Sequence, residues 1–128
     1  MTYPINIEQK IDFQVIRDCL KSCCTSSLGK ERVDQMLWQS NYAKVNLLLA
    51  YLREMLNITT DSSLTFPQGD IFDLRDALSR IRVEGLFMDE AELFSLRKML
   101  EYVAQLQRFF TSLDPQRFPL LSDINRLT

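Results

Sequence analysis

An all-helical fold is the class that this chain of 128 residues predicts, and three observations carry it. Only 3 Gly and 4 Pro punctuate the chain, too few for a sheet protein that must turn often. Apolar residues recur at three-to-four spacing along several stretches, with capping residues ahead of them. No stretch alternates apolar and polar side chains as a half-buried strand would. The expected architecture is an orthogonal, bundle-like array of about five to six helices with one long helix in the C-terminal half, a single domain over 1–128.

Residues 1–10 should form an extended lead-in with one helical turn near Asn6. Asp12 is placed to cap a helix carrying Phe13, Ile16, Cys19, Leu20 and Cys23 inward, and Ile11 and Ile16 are spaced for a hydrophobic staple. Ser26 can cap a short helix with Leu28, Val33 and Met36 as its apolar contacts. Gly29 in its first turn costs about 1 kcal/mol of helix propensity relative to Ala, so its presence implies close packing. From Ser40 or Asn41 to about Asn57, Val45, Leu48, Leu49, Leu52, Met55 and Leu56 make a stripe wide enough to predict a central helix, covered on more than one side. The pattern breaks from Ile58 to Gly69, where Thr59, Thr60, Ser62 and Ser63 compete with helix and Pro67 extends Phe66, giving the expected mobile loop.

Asp73 then opens a helix with Leu74, Ala77, Leu78 and Ile81 on one side, closed by Gly85. Asp76, Arg80 and Glu84 stand four apart on another side as a ladder of charges. Asp89 and Glu92 form a capping box ahead of the long helix, with Met88 and Leu93 spaced for a staple. Along it run Leu93, Leu96, Leu100, Val103 and Phe110, broadened by Met99 and Leu106; residues 89–112 would span about 35 Å. Asp114-Pro115 and Phe118-Pro119 make a second break, and an apolar patch near Phe118 to Leu121 is expected at the surface, where it can drive association. Ser122 or Asp123 begins a last short helix that stops at Thr128; an ending so soon after a helix start implies a fragment of a longer protein.

Composition excludes several classes. With 15 basic and 17 acidic residues the net charge is -2, so no overall positive field holds nucleic acid. Three clustered cysteines, Cys19, Cys23 and Cys24, do not read as a disulfide framework and suit a reducing, cytoplasmic location. Charges at Glu8, Lys10 and Asp12 arrive before any apolar run that could serve as a signal peptide, and the run from Leu47 to Leu52 is too short to span a bilayer.

The chain has no histidine, which removes the usual general base and the commonest zinc ligand. Leu28-Gly29-Lys30 lacks the upstream glycine and the following hydroxyl of a phosphate-cradling loop. Cys19 and Cys23 share a helical face but lack the further ligands of a tetrahedral zinc site, so buried free thiols are the plainer reading. Asp89, Glu90 and Glu92 suggest paired carboxylates for acid-base work or magnesium, yet a first helical turn stabilises carboxylates without any such role. Arg75, Arg82, Arg97 and Lys98, with Arg108, are candidates for phosphate or partner contact, against the plainer reading of a solvated mixed-charge face. Tyr102, Phe109 and Phe110 fit core or partner contact better than base stacking.

Three stretches taken together resemble the beginning of the second branch of the MutS family, the endonuclease-type MutS proteins. They are Glu8 to Phe13 with Ile16-Arg17, Ser26 to Val33, and Phe72 to Arg75 through Arg80 to Gly85 and on to Asp89 to Leu93. Ser27 stands where that family often has proline, and the three cysteines are not part of its pattern. The resemblance implies the N-terminal part of a helical lever or core domain, ahead of a clamp, an ATPase domain and a nuclease tail. It implies that the fragment is inert as an enzyme and holds no cofactor, while a dimeric parent uses ATP and magnesium on branched or mismatched DNA or on ribosomes. No catalytic residue transfers to these positions. Two alternatives remain open: a free-standing helical adaptor unrelated to DNA, and direct duplex binding by this region.

Overall fold

The computed structural model of the protein describes residues 5–127. Among them are six α-helices and no strand: α1 (Ile7–Lys10), α2 (Phe13–Cys23), α3 (Ser27–Asp34), α4 (Tyr42–Thr60), α5 (Arg75–Arg80) and α6 (Glu90–Ser112), followed by a 3-10 turn at Ile124–Leu127. The all-helical class and the long helix are as expected. The chain divides into two compact units, Met1–Trp38 with Asp70–Leu96, and Gln39–Gly69 with Arg97–Thr128. Only α6 contributes to both.

In the first unit a buried charge organises α1 to α3. Arg17, 7% exposed, sits in the middle of α2. Its guanidinium donates to both Glu8 carboxylate oxygens at 2.8 and 3.0 Å, to the Val33 carbonyl at 2.6 Å and to the Met36 carbonyl at 2.7 Å. The last two carbonyls lie at and just beyond the end of α3, where a cation satisfies acceptors the helix cannot and meets the negative end of its dipole. Ser26 caps the other end of α3, accepting the Gly29 amide at 3.0 Å. A Cβ on Gly29 would stand 3.2 Å from Ser26 Oγ, the close packing its position implied. Leu74, Ala77 and Met88 are the buried apolar residues of this unit.

Several local expectations fail here for identifiable reasons. Asp12 makes no side-chain cap; its backbone is left-handed at φ 56° rather than in the extended conformation a capping residue takes. Phe13 is half-buried, but Ile16, Cys19, Leu20 and Cys23 are exposed and Cys24 is half-exposed, so the thiols are not buried. Ile11 and Ile16 both stay more than half exposed, which leaves no buried staple. α5 ends at Arg80, short of Gly85, whose φ of 84° lies in the region only glycine enters freely. Trp38, at the seam between the units in the chain, is 67% exposed.

The second unit has the larger apolar cluster, built on Ile58 (1% exposed), Phe118 (2%), Leu113 and Leu121. Tyr51 and Met55 of α4, Phe109 and Phe110 of α6, and Leu64, Phe66 and Ile124 pack around it. Phe66, Phe109 and Phe110 meet edge to face, with centroids 5.4 to 6.2 Å apart. The sequence pattern placed Ile58 in a loop, but α4 continues to Thr60. Thr59 and Thr60 send their hydroxyls back to the Leu56 carbonyl, both at 2.9 Å, and leave the helix intact.

The expected surface patch at Phe118 to Leu121 is likewise core. Asp114 accepts the Gln116 amide on its side chain and the Phe118 amide on its carbonyl, a turn that sends Phe118 inward. Glu54, only 8% exposed, then takes the Leu120 amide at 3.1 Å and the Leu121 amide at 2.8 Å on its two carboxylate oxygens. Tyr102 lies against Gly69 and donates its hydroxyl to the Pro67 carbonyl at 3.3 Å, fastening the 61–69 loop to α6.

Replacing Glu54 by Ala strips two amides of their acceptor and should lower unfolding free energy by about 2–3 kcal/mol, read as a lower urea midpoint. Gly69→Ala would drive a methyl group into the Tyr102 ring and should cost about 1–3 kcal/mol by the same measurement.

Candidate functional site

The four basic residues singled out from the sequence are not gathered into one patch. Arg75 and Arg82 belong to the first unit, Arg97 and Lys98 to the second. Arg75, at the start of α5, is held between Asp73 at 2.6 Å and Glu31 of α3 at 2.8 Å. Hydrogen bonds to Asp73 first, then Glu31, raise its pKa above the ordinary arginine value, and Arg75 in turn holds the Asp73 carboxyl down at about 2. Arg97 pairs with Glu101 one turn along α6 at 2.9 Å. Arg82, in the turn after α5, is exposed and makes no ion pair among the described residues. Charge already spent on a carboxylate is worth less to a phosphate, so Arg82 is the best placed of those three for an anion.

The predicted Asp76–Arg80–Glu84 ladder is replaced by another pairing. Arg80 reaches Glu92 at 2.5 Å, joining α5 to the first turn of α6. Glu92 also accepts the Asp89 amide at 3.0 Å while Asp89 accepts the Glu92 amide at 2.8 Å, the reciprocal box read from the sequence. These carboxylates thus serve the helix start and an ion pair. No group of three or more His, Cys, Asp or Glu among the described residues could hold a metal ion.

Arg17 and Glu54 were not singled out from the sequence, although a signal existed. Arg17 interrupts the Phe13, Ile16, Leu20 side of α2, and Glu54 stands among Tyr51, Met55 and Ile58. A charge at a core-facing position of an apolar stripe must find partners there. Around the Ile58 cluster, Asp61 accepts from Ser63 at 2.6 Å and Arg117 at 2.8 Å, which together hold its carboxyl at about 2. Tyr102, Phe109 and Phe110 are half-buried and engaged in this unit's packing, as expected of core rather than stacking aromatics.

Large apolar side chains stand exposed along two of the helices. Leu47, Leu48, Leu49, Leu52 and Leu56 of α4 and Leu93, Phe94, Leu100 and Val103 of α6 are exposed. α4 and α6 join through the Ile58 cluster at their C-terminal ends, so the wide α4 stripe is not covered on several sides as its pattern suggested. No described helix is long and apolar enough to cross a membrane.

Comparison with known proteins gives a consistent direction. The chain is 28% identical over 121 residues to an endonuclease MutS2 of Geobacillus sp. (strain WCH70), covering 88% of this chain and 14% of that protein. It is 26% identical over 119 residues to the endonuclease MutS2 of Halalkalibacterium halodurans, covering 91% of this chain and 15% of the relative. The corresponding protein of Acetivibrio thermocellus matches at 28% over 106 residues, 77% of this chain. The chain spans about a seventh of the length of these curated relatives. No protein-family model and no solved structure matches it. The similarity supports a MutS2-related segment.

Asp61 and Asp73 both have folded-state pKa values of about 2, below the ordinary 3.8. Their contribution to stability is therefore fully present above about pH 4 and is lost as pH falls from there towards 2. The double variant Asp61→Asn, Asp73→Asn should show a flatter urea midpoint across that window than the unaltered chain.

Proposed function

We propose that these residues form the N-terminal helical lever segment of a MutS-type DNA mismatch repair or recombination-suppressing protein. In this reading the segment couples nucleotide state in an ATPase domain elsewhere in a longer, cytoplasmic, homodimeric chain to engagement of branched or mismatched DNA or of a ribosome. ATP and magnesium would be bound by that ATPase domain, and any endonuclease activity would also reside outside residues 1–128. The observation that carries the proposal is the span of the similarity, nearly the whole chain against about one seventh of each relative. The character of the residues supports it. Arg75 and Arg97 are committed to carboxylates, and Glu92 to its cap and to Arg80, which leaves a mechanical element as the simplest use of α6.

A 23-residue helix is about 35 Å long, and a helix transmits displacement along its axis because each turn is held by the hydrogen bonds of the next. Hydrogen exchange on a longer chain containing this segment should find the amides of residues 94–108 protected relative to those of the 61–69 loop in every nucleotide state. Exchange of α6 as fast as the loop would rule out its use as a rod. The isolated chain should hydrolyse no ATP and should not retard duplex or branched DNA; retardation that fades as salt is raised would instead assign direct phosphate contact to it, with Arg82→Glu the first variant to test.

A further inference from the structure

Arg17 presents two edges, and each holds a different part of the first unit. Its Nη1 and Nη2 donate to the Val33 carbonyl at 2.6 Å and the Met36 carbonyl at 2.7 Å. Its Nε and Nη2 meet the Glu8 carboxylate at 3.0 and 2.8 Å, the paired geometry in which guanidinium recognises carboxylate. The Arg17 side chain is 8% exposed but that of Glu8 is 44% exposed, so this carboxylate stands between a buried cation and solvent. Little else fastens it there. α1 buries no residue, its backbone hydrogen bonds run within residues 6–12, and Glu8 to Arg17 is its one side-chain tie among the described residues. The joint to α2 is Asp12, whose left-handed φ of 56° an L residue adopts at a cost. Asp34, whose charge also acts on Arg17, is itself taken by Lys21 at 2.9 and 3.0 Å.

We propose that the Nε and Nη2 edge of Arg17 is a carboxylate-binding site, with Glu8 as its tethered resident and α1 as a strap that lifts to admit another carboxylate. The two edges make this possible. When α1 lifts, Arg17 keeps the Val33 and Met36 carbonyls, so α2 and α3 stay joined. Two N–H groups and a desolvated positive charge then lose their acceptor, a loss that water repairs only in part. A planar carboxylate satisfies both donors and the charge at once, which a spherical anion such as chloride cannot do. The tether gives Glu8 a high effective concentration, so a foreign carboxylate must outcompete it, while the cost stored at Asp12 works against the closed strap. Val33 and Met36 lie at and just beyond the end of α3, so occupancy of this one edge acts on the cation that joins three helices.

Glu8→Ala, made in the whole chain, empties the edge and supplies the test. Its urea midpoint should fall below that of the unaltered chain, and sodium acetate should raise it saturably where sodium chloride of equal ionic strength does not. Acetate should leave the midpoint of the unaltered chain in place, because Glu8 already fills the edge. A capped peptide of residues 7–10 separates two sources of the ligand. Rescue by the peptide at lower concentration than acetate assigns a carboxylate carried on a helical segment, and rescue by acetate at equal or lower concentration assigns a small free acid. Hydrogen exchange on the unaltered chain reads the strap without any substitution, and so serves even if Glu8→Ala fails to fold. The amides of Lys10, Ile11 and Asp12, which donate to the Asn6, Ile7 and Gln9 carbonyls, should exchange faster than those in the middle of α2. Rescue by neither probe, an equal gain from acetate in both chains, or exchange of these amides as slow as that of mid-α2 overturns the proposal.

Discussion

A guanidinium buried in the middle of α2 has to bring its hydrogen-bond partners to it, and that requirement arranges the first unit. Arg17 draws in Glu8 from α1 and the carbonyls of Val33 and Met36 at the end of α3, so three short helices that bury few apolar side chains share one set of donors. The second unit solves the complementary problem. Glu54 offers acceptors to two backbone amides in the segment after α6 and fixes where Leu121 enters the Ile58 cluster. One buried cation serves carbonyls and one buried anion serves amides; in both cases leaving the partners unmatched would cost the desolvation of buried polar groups. Polar geometry thus decides the packing of each unit where apolar area is thin.

Periodicity and capping chemistry made much of this legible. The Asp89–Glu92 box, the Ser26 cap and the Asn41 start of α4 were readable because each depends on residues three or four apart. Cover was harder to read than facing. A stripe such as Leu48, Leu52 and Leu56 tells which residues share a side, but nothing local says whether another element reaches that side. The same gap explains the exposed cysteines of α2. The opposite error, at Ile58 and Phe118, came from treating Thr and Pro as signals of surface loops. Thr59 and Thr60 bonded within their helix, and the Asp114 turn carried Phe118 inward through contacts remote from α4 in sequence.

The candidate residues divide the same way. Asp89 and Glu92 cap the first helical turn, and Arg75 and Arg97 are paired with carboxylates on a mixed-charge surface. The Arg75–Glu31 pair spans 44 positions and could not be read from spacing. Similarity to the MutS2 endonucleases covers nearly the whole chain, including α2 with its exposed thiols and α4 with its open face. The chain's most conspicuous surfaces therefore lie within the related stretch rather than in an appended one.

Trp38 has a practical consequence for anyone studying this protein in solution. Because the sole tryptophan already stands mostly in water in the folded chain, its emission should sit near the red end of its range before any denaturant is added. Tryptophan fluorescence would then scarcely register the loss of either packing unit. The phenolic ring of Tyr102, lodged against Gly69, and the ellipticity of the helices are the optical handles that the fold itself provides.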